Sequence, residues 1–401
     1  MQDDFSDGVE CFLDSVLIDN FRKAINSSSI FTNSEKHKHR YNLTCAVMDR
    51  IDSAIKVLNS FHKVPKSEEE LVYFLVYACI LKDGIYKLYE NVFSKKPPCT
   101  EDKIYFCNVS GYTEKIFTED TCPTDDVFFE YYRSLAFAHP FETSKANRKQ
   151  RIFMDNGEIQ CSPWVISPSS FVDAVENPIG IRIYSNKNLE GLKDIYFSFD
   201  DLKGYVKKRY QYLTELTEWA NDEVLLQNDE WKQVRIERTD DAVQTLKNAI
   251  SILESRFEDT YEVQDLIDYL LCECTIKENE KNVSIFKNVL YSIVPSICDC
   301  IDNLNYRKMY DILSIISVRP KKTHQMCNYQ LEKIFCYLKD KSEDVAGGSN
   351  EEWGLKQVQN FANEFDKKWV IIKTYEMSYT EIKMLVRTAC YLEWKEQEVK
   401  N

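Results

Sequence analysis

Glycine is scarce in this chain, ten residues of 401, and neither GxGxxG nor GxxxxGKS or GxxxxGKT occurs. This argues against folds that cradle phosphates on a glycine-rich loop. Histidine is rarer still, at five residues. The fourteen cysteines include no CxxC pair. Cys272/Cys274 and Cys298/Cys300 lie two apart in segments of helical periodicity, so their side chains diverge. That spacing argues against a zinc site and for buried free thiols. No apolar run approaches the ~20 residues that a membrane-spanning helix needs; the longest candidate, 73–81, is far shorter. The opening MQDDFSDGVECF is acidic and lacks the basic and apolar regions of a signal peptide. These absences predict a cytoplasmic chain with reduced cysteines, no metal, no cofactor and no membrane partner.

What is present suffices for a packed interior. Apolar residues make up 44% and aromatic residues 13%, values of a globular chain rather than a disordered one. The length accommodates two to three domains. The formal charge of −14 makes the surface acidic on average. A protein that coats nucleic acid without selectivity carries the opposite balance, so any nucleic-acid contact has to be local.

Periodicity predicts a mainly α fold. The stretch 41–63 carries Leu43, Val47, Ile51, Ile55 and Leu58 as an apolar stripe. Ser67-Glu-Glu-Glu70 reads as a capping box opening a second helix to about Phe93, apolar on most sides in its first half. Thr124-Asp-Asp126 starts a third, which meets His139-Pro140 at its end. From 151 the pattern changes. RIFMD and EIQCSPWVIS flank Asn156-Gly157, a hairpin signal, and IGIRIY (179–184) and IYFSF (195–199) read as further strands of a small antiparallel sheet. One helix follows from Ser198 or Asp200, and helices resume from about 235: 240–257, 263–274, 284–303, 306–316, 325–338 and 379–396. Ala346-Gly-Gly-Ser-Asn350 reads as a linker. Three regions follow: a helical bundle in 1–150, a small sheet with a helix that completes the bundle in 151–230, and an all-helical region in 231–401.

Chemistry concentrates in Arg133-Ser-Leu-Ala-Phe-Ala-His139 and the run Lys145-Ala-Asn-Arg148-Lys149-Gln-Arg151 just after it. An arginine holds and neutralises a phosphate. A histidine moves protons near neutral pH. Basic residues beside the pair give a nucleic-acid backbone a track. Spacing alone is weak: chance supplies about 0.5 such arginine–histidine pairs in a chain of this make-up. A second pair, Arg319 to His324, has Pro320 after the arginine and reads as a basic connector. Position favours the first pair, since Pro140 forces a helix end at His139. The structural alternatives are an ion pair of Arg133 with Glu130 and a helix C-terminal cap by His139. The segment Glu35 to Arg40, with His37 and His39 among lysines, reads as an exposed loop.

At Arg133, Ser134 and His139 the sequence resembles the HEPN superfamily of helical bundles, in its abortive-infection-like and toxin ribonuclease branches, over at most 40–150 with the helix near 200–228. It departs from that pattern at Ser134, where Asn, Asp or His is commoner. It also carries Phe141 where some members have a tyrosine that is nucleotidylated. The resemblance implies a metal-independent endoribonuclease. The RNA 2′-hydroxyl attacks the adjacent phosphorus, leaving a 2′,3′-cyclic phosphate and a 5′-hydroxyl. His139 would serve as general base or acid, Arg133 would stabilise the phosphoryl charge, Ser134 would orient either, and Lys145, Arg148, Lys149 and Arg151 would hold flanking phosphates. A homodimer would supply the second histidine, and a regulatory partner would restrain the activity. The other class open to this sequence is a non-catalytic helical interaction protein.

Overall fold

A computed structural model describes residues 11–111, 114–141, 159–165, 175–186, 193–338, 348–365 and 368–400. The chain divides into two compact units, 1–224 and 225–401. It is mainly helical with a small three-stranded antiparallel sheet.

Unit 1 begins with α1 (Val16–Asn26), the short α2 (Ile30–Asn33), α3 (Lys38–Asn59) and α4 (Glu68–Phe93). The predicted caps are in place. Ser67 Oγ accepts the Glu70 amide at 3.2 Å and the Glu70 carboxylate accepts the Lys66 amide at 2.7 Å, so α4 starts where the capping box placed it. α3 and α4 pack along their lengths. Gly84 permits this: a Cβ there would lie 3.0 Å from Val47 Cγ1. A 3-10 turn (Pro98–Glu101) leads towards α5 (Asp125–Arg133), whose N-cap Thr124 accepts the Val127 amide.

The sheet orders as β1 (Gln160–Cys161), β2 (Pro178–Ser185) and β3 (Lys193–Ser198), antiparallel throughout, with Ile181 opposite Ile195 and Gly180 opposite Tyr196. Of the expected Asn156-Gly157 hairpin, 151–158 lie outside the described residues. Ile179, Ile181, Ile195 and Phe197 are buried. An aromatic cluster of Phe106, Phe128, Tyr132, Phe197 and Tyr205 joins α5 to the sheet and to α6 (Phe199–Tyr210), with ring centroids 4.7–6.4 Å apart. Aromatic pairs at such distances add to the area they bury. Ser198 caps α6 as its position suggested.

The single helix expected after Ser198 is in fact two, α6 and α7 (Leu213–Gln233). Tertiary hydrogen bonds flank the break. The Tyr210 hydroxyl donates to the Asp14 carbonyl at 2.6 Å, while the Tyr212 hydroxyl accepts the Cys99 amide at 3.2 Å. The second correction concerns Glu35 to Arg40: Lys38 already opens α3, and His37 is 4% exposed rather than part of a solvated loop.

Unit 2 contains α8 (Ala242–Ser255), α9 (Tyr261–Leu271), α10 (Glu280–Asp302), α11 (Tyr306–Leu313), α12 (Cys327–Tyr337), α13 (Gly348–Phe365) and α14 (Tyr379–Val399). The helix α13 begins inside the stretch read as a linker; Val358 and Phe361 are fully buried in the unit's core, and burial overrides a weak local signal. The segment 277–302 is long and apolar enough to cross a membrane, by length and composition only. Its Phe286, Leu290, Val294 and Ile297 belong to the core that α10 shares with α8, α9 and α14. Arg256, 1% exposed, donates to the Ile301 carbonyl at 2.6 Å and to the Trp231 and Val234 carbonyls at 2.6 and 2.8 Å. It thereby adds a donor to carbonyls at two helix ends, where Ile301 and Trp231 also accept the amides of Leu304 and Val234 in the closing turns.

Candidate functional site

α5 is anchored at its first residue. Asp125 is completely buried, and its carboxylate accepts the amides of Ile104, Tyr105 and Phe106 at 3.0–3.2 Å. Burial pushes this carboxyl up, although the three amides act against it. From there Asp126, Glu130 and Arg133 follow at intervals of four and three residues, one face of the helix.

Each member of that face meets a partner. Asp126 accepts from the Tyr86 hydroxyl at 2.9 Å, the Tyr205 hydroxyl at 2.8 Å and Arg209 Nη2 at 2.8 Å. The Arg209 guanidinium is fully buried and lies 3.7 Å from the Tyr205 ring centroid. Glu130 takes Lys82 from α4 on one oxygen, and on the other Arg133 through Nε at 2.6 Å and Nη2 at 2.5 Å. Burial pushes the Glu130 carboxyl up, but Lys82 and Arg133 more than offset it, holding it below the usual carboxylate range. Burial acts to lower Lys82, and Glu130 and Asp83 reverse that, so Lys82 stays a cation inside the fold. Lys82, Tyr86, Lys96, Asp126 and Glu130 border a polar cleft of about 440 Å³.

The helix end has an unusual form. Ser134–Ala138 make one π-helical turn, closed by the His139 amide donating to the Ser134 carbonyl at 2.7 Å. π turns of this kind are frequent at functional sites. Arg133 is 31% exposed and His139 is exposed. No hydrogen bond or ion pair joins them. Ser134 is buried, its hydroxyl with no hydrogen-bond partner, so it orients neither Arg133 nor His139 in this arrangement. The Glu130 pair and the C-cap position of His139 are the two structural roles that the sequence allowed for these residues. Phe141 is 81% exposed.

Lys145, Arg148, Lys149 and Arg151 lie outside the described residues. Arg319 to His324 is a connector before α12, with Arg319 donating to Asn328 at 3.3 Å. Among the described residues no group of three or more His, Cys, Asp or Glu is placed to hold a metal ion. Sequence reasoning missed Lys82, Asp126 and Arg209 as one network. A usable signal existed: Lys82 interrupts the apolar run LVYFLVYACIL, where a cation needs a buried partner.

No family model, curated protein or solved structure matches this chain.

Proposed function

We propose that the chain is a metal-independent endoribonuclease of HEPN type that works as a homodimer in antiphage abortive infection or a toxin system. One observation carries the reading: Arg133 and His139 bracket a single π turn at a helix end, the arginine held by Glu130 and the histidine open to solvent. Glu130 engages Nε and Nη2 of Arg133 and leaves further guanidinium N–H groups for a phosphate. Glu130 is a positioning residue in this scheme.

In the reaction the RNA 2′-hydroxyl is the nucleophile. A histidine withdraws its proton, the oxygen attacks phosphorus, and the 5′-oxygen leaves with a proton from a second histidine. Arg133 stabilises the charge that builds on the phosphoryl oxygens. A single chain offers one imidazole in the motif, so a second copy supplies the other. The segment Lys145 to Arg151 contacts flanking phosphates, which makes binding steeply dependent on salt.

A second reading, a non-catalytic interaction protein, is favoured by the Glu130 ion pair, which gives Arg133 a structural role. Purified full-length chain incubated with RNA and EDTA separates the two. The expected result is cleavage to 2′,3′-cyclic phosphate ends, reduced by about 100-fold or more in Arg133→Ala and His139→Ala, with circular dichroism and oligomeric state unchanged. Wild-type cleavage persisting in both variants removes the site. Absence of cleavage by wild type, with equal growth of cells expressing wild type and His139→Ala, favours the interaction protein.

A further inference from the structure

Before α5, the chain doubles back on itself between two cysteines. Ser110 pairs with Lys115 in an antiparallel bridge, the Ile116 amide donates to the Val109 carbonyl at 2.9 Å, and the Cys122 amide donates to the Thr118 carbonyl at 2.9 Å. The Asp125 carboxylate grips the amides of residues 104–106 from the other side. Cys107 and Cys122 therefore stand on two strands of chain fixed at both ends, and their sulfurs are 2.6 Å apart as free thiols. A covalent S–S bond is about 2.05 Å, so closure needs a movement of about half an ångström and no change of fold. Cys107 is partly exposed while Cys122 is buried. An oxidant therefore reaches the first sulfur and not the second.

We infer that Cys107 and Cys122 form a reversible disulfide when the protein meets a peroxide. The Cys107 thiolate attacks one peroxide oxygen, the O–O bond breaks, and the departing hydroxide takes a proton to leave as water. The resulting sulfenic acid is attacked at sulfur by Cys122, and hydroxide leaves with the remaining thiol proton as a second water. Two thiols are oxidised and one peroxide is reduced to two waters. Burial pushes the Cys122 thiol up to about 12, which protects it from direct oxidation and leaves it as the resolving partner. The bond staples the 107–122 loop beside Asp125, the residue that anchors the start of α5.

Peptide mapping of the full chain treated with hydrogen peroxide, then alkylated, tests this. The expected product is a Cys107–Cys122 linked peptide pair, two hydrogens lighter than its reduced sum and restored by dithiothreitol. In Cys122→Ser the link is lost, and Cys107 is instead trapped as a sulfenic acid by dimedone. Both cysteines recovered as alkylated thiols after peroxide, or each linked to a different cysteine, overturns the inference. Cys107→Ser folds regardless of the outcome if its circular dichroism matches wild type, and Cys122 in that variant should then stay unoxidised; its ready oxidation to a dimedone adduct also counts against the assigned order.

Discussion

Glu130 carries more than its own charge, because it answers two cations at once. Lys82 is 7% exposed, so removing the Glu130 carboxylate leaves a buried ammonium with only Asp83, at 3.3 Å, as a paired carboxylate. Glu130→Gln is expected to cost about 3 kcal/mol, read as a lowered urea midpoint at pH 7. The sign with pH follows from the depressed carboxyl. Its stabilisation is complete above the unfolded value of 4.5 and fades as pH falls through the lower folded value. Stability measured from pH 7 to 3 should therefore fall more steeply in wild type than in Glu130→Gln, the gap between them narrowing as pH drops below 4.5. Parallel curves would mean that Glu130 is not tied to these cations in solution. The sequence exposed half of this arrangement. Glu130 lies three residues before Arg133 on a helix, a spacing that brings the two together. Lys82 is 48 residues away from Glu130, and only the packing of α4 and α5 brings it there. His37 was misread for the same reason: its charged neighbours suggested water, while Phe31 and Trp219, with ring centroids 5.3 and 5.9 Å away, enclose it.

Elements were legible at several caps, whereas the glycines at 347 and 348 point to a linker where α13 begins. Ser67, Thr124 and Ser198 each accept the amide that their position called for. The break between α6 and α7 has no glycine or proline, so nothing local announces it. Two tyrosines bonded to distant backbone atoms flank it instead. The pairing of α3 with α4 includes a close approach at Gly84, which gives it a simple test. Gly84→Leu improves helix propensity by about 0.8 kcal/mol, yet it drives a side chain into Val47. Net destabilisation of about 1–3 kcal/mol is expected from overpacking, measured by urea unfolding. A stabilised variant would show that the two helices do not approach there.

Each of the two units has an interior of its own, and in unit 2 that interior is mainly helical. Its buried side chains run from Ile236 to Leu392. Arg256, which ties Trp231 and Val234 to Ile301, also stays within it. A fragment of residues 225–401 is accordingly expected to be monodisperse, strongly helical by circular dichroism and cooperative on heating. A broad, non-cooperative melt would show that this half depends on the remainder of the chain. At this scale composition was informative about class, and the pattern of elements placed the last region at 231–401. The limit between the two compact units, near residue 224, falls within α7, whereas the sequence pattern put its boundary at 230/231, close to the end of that helix.

The π turn at Ser134–Ala138 also has a meaning in terms of length variation. A wide turn is what a helix end makes of one extra residue: the added length is absorbed as a looser loop of backbone, and the chain on either side keeps its course. Removing any one residue between 134 and 138 would let the same end close as an ordinary α turn, with Arg133 and His139 both retained. What would change is direction, since one helical position rotates a side chain by about 100°. The interval between the arginine and the histidine is thus a quantity that insertions and deletions can shift cheaply, and the bearing of the imidazole is what such a shift alters.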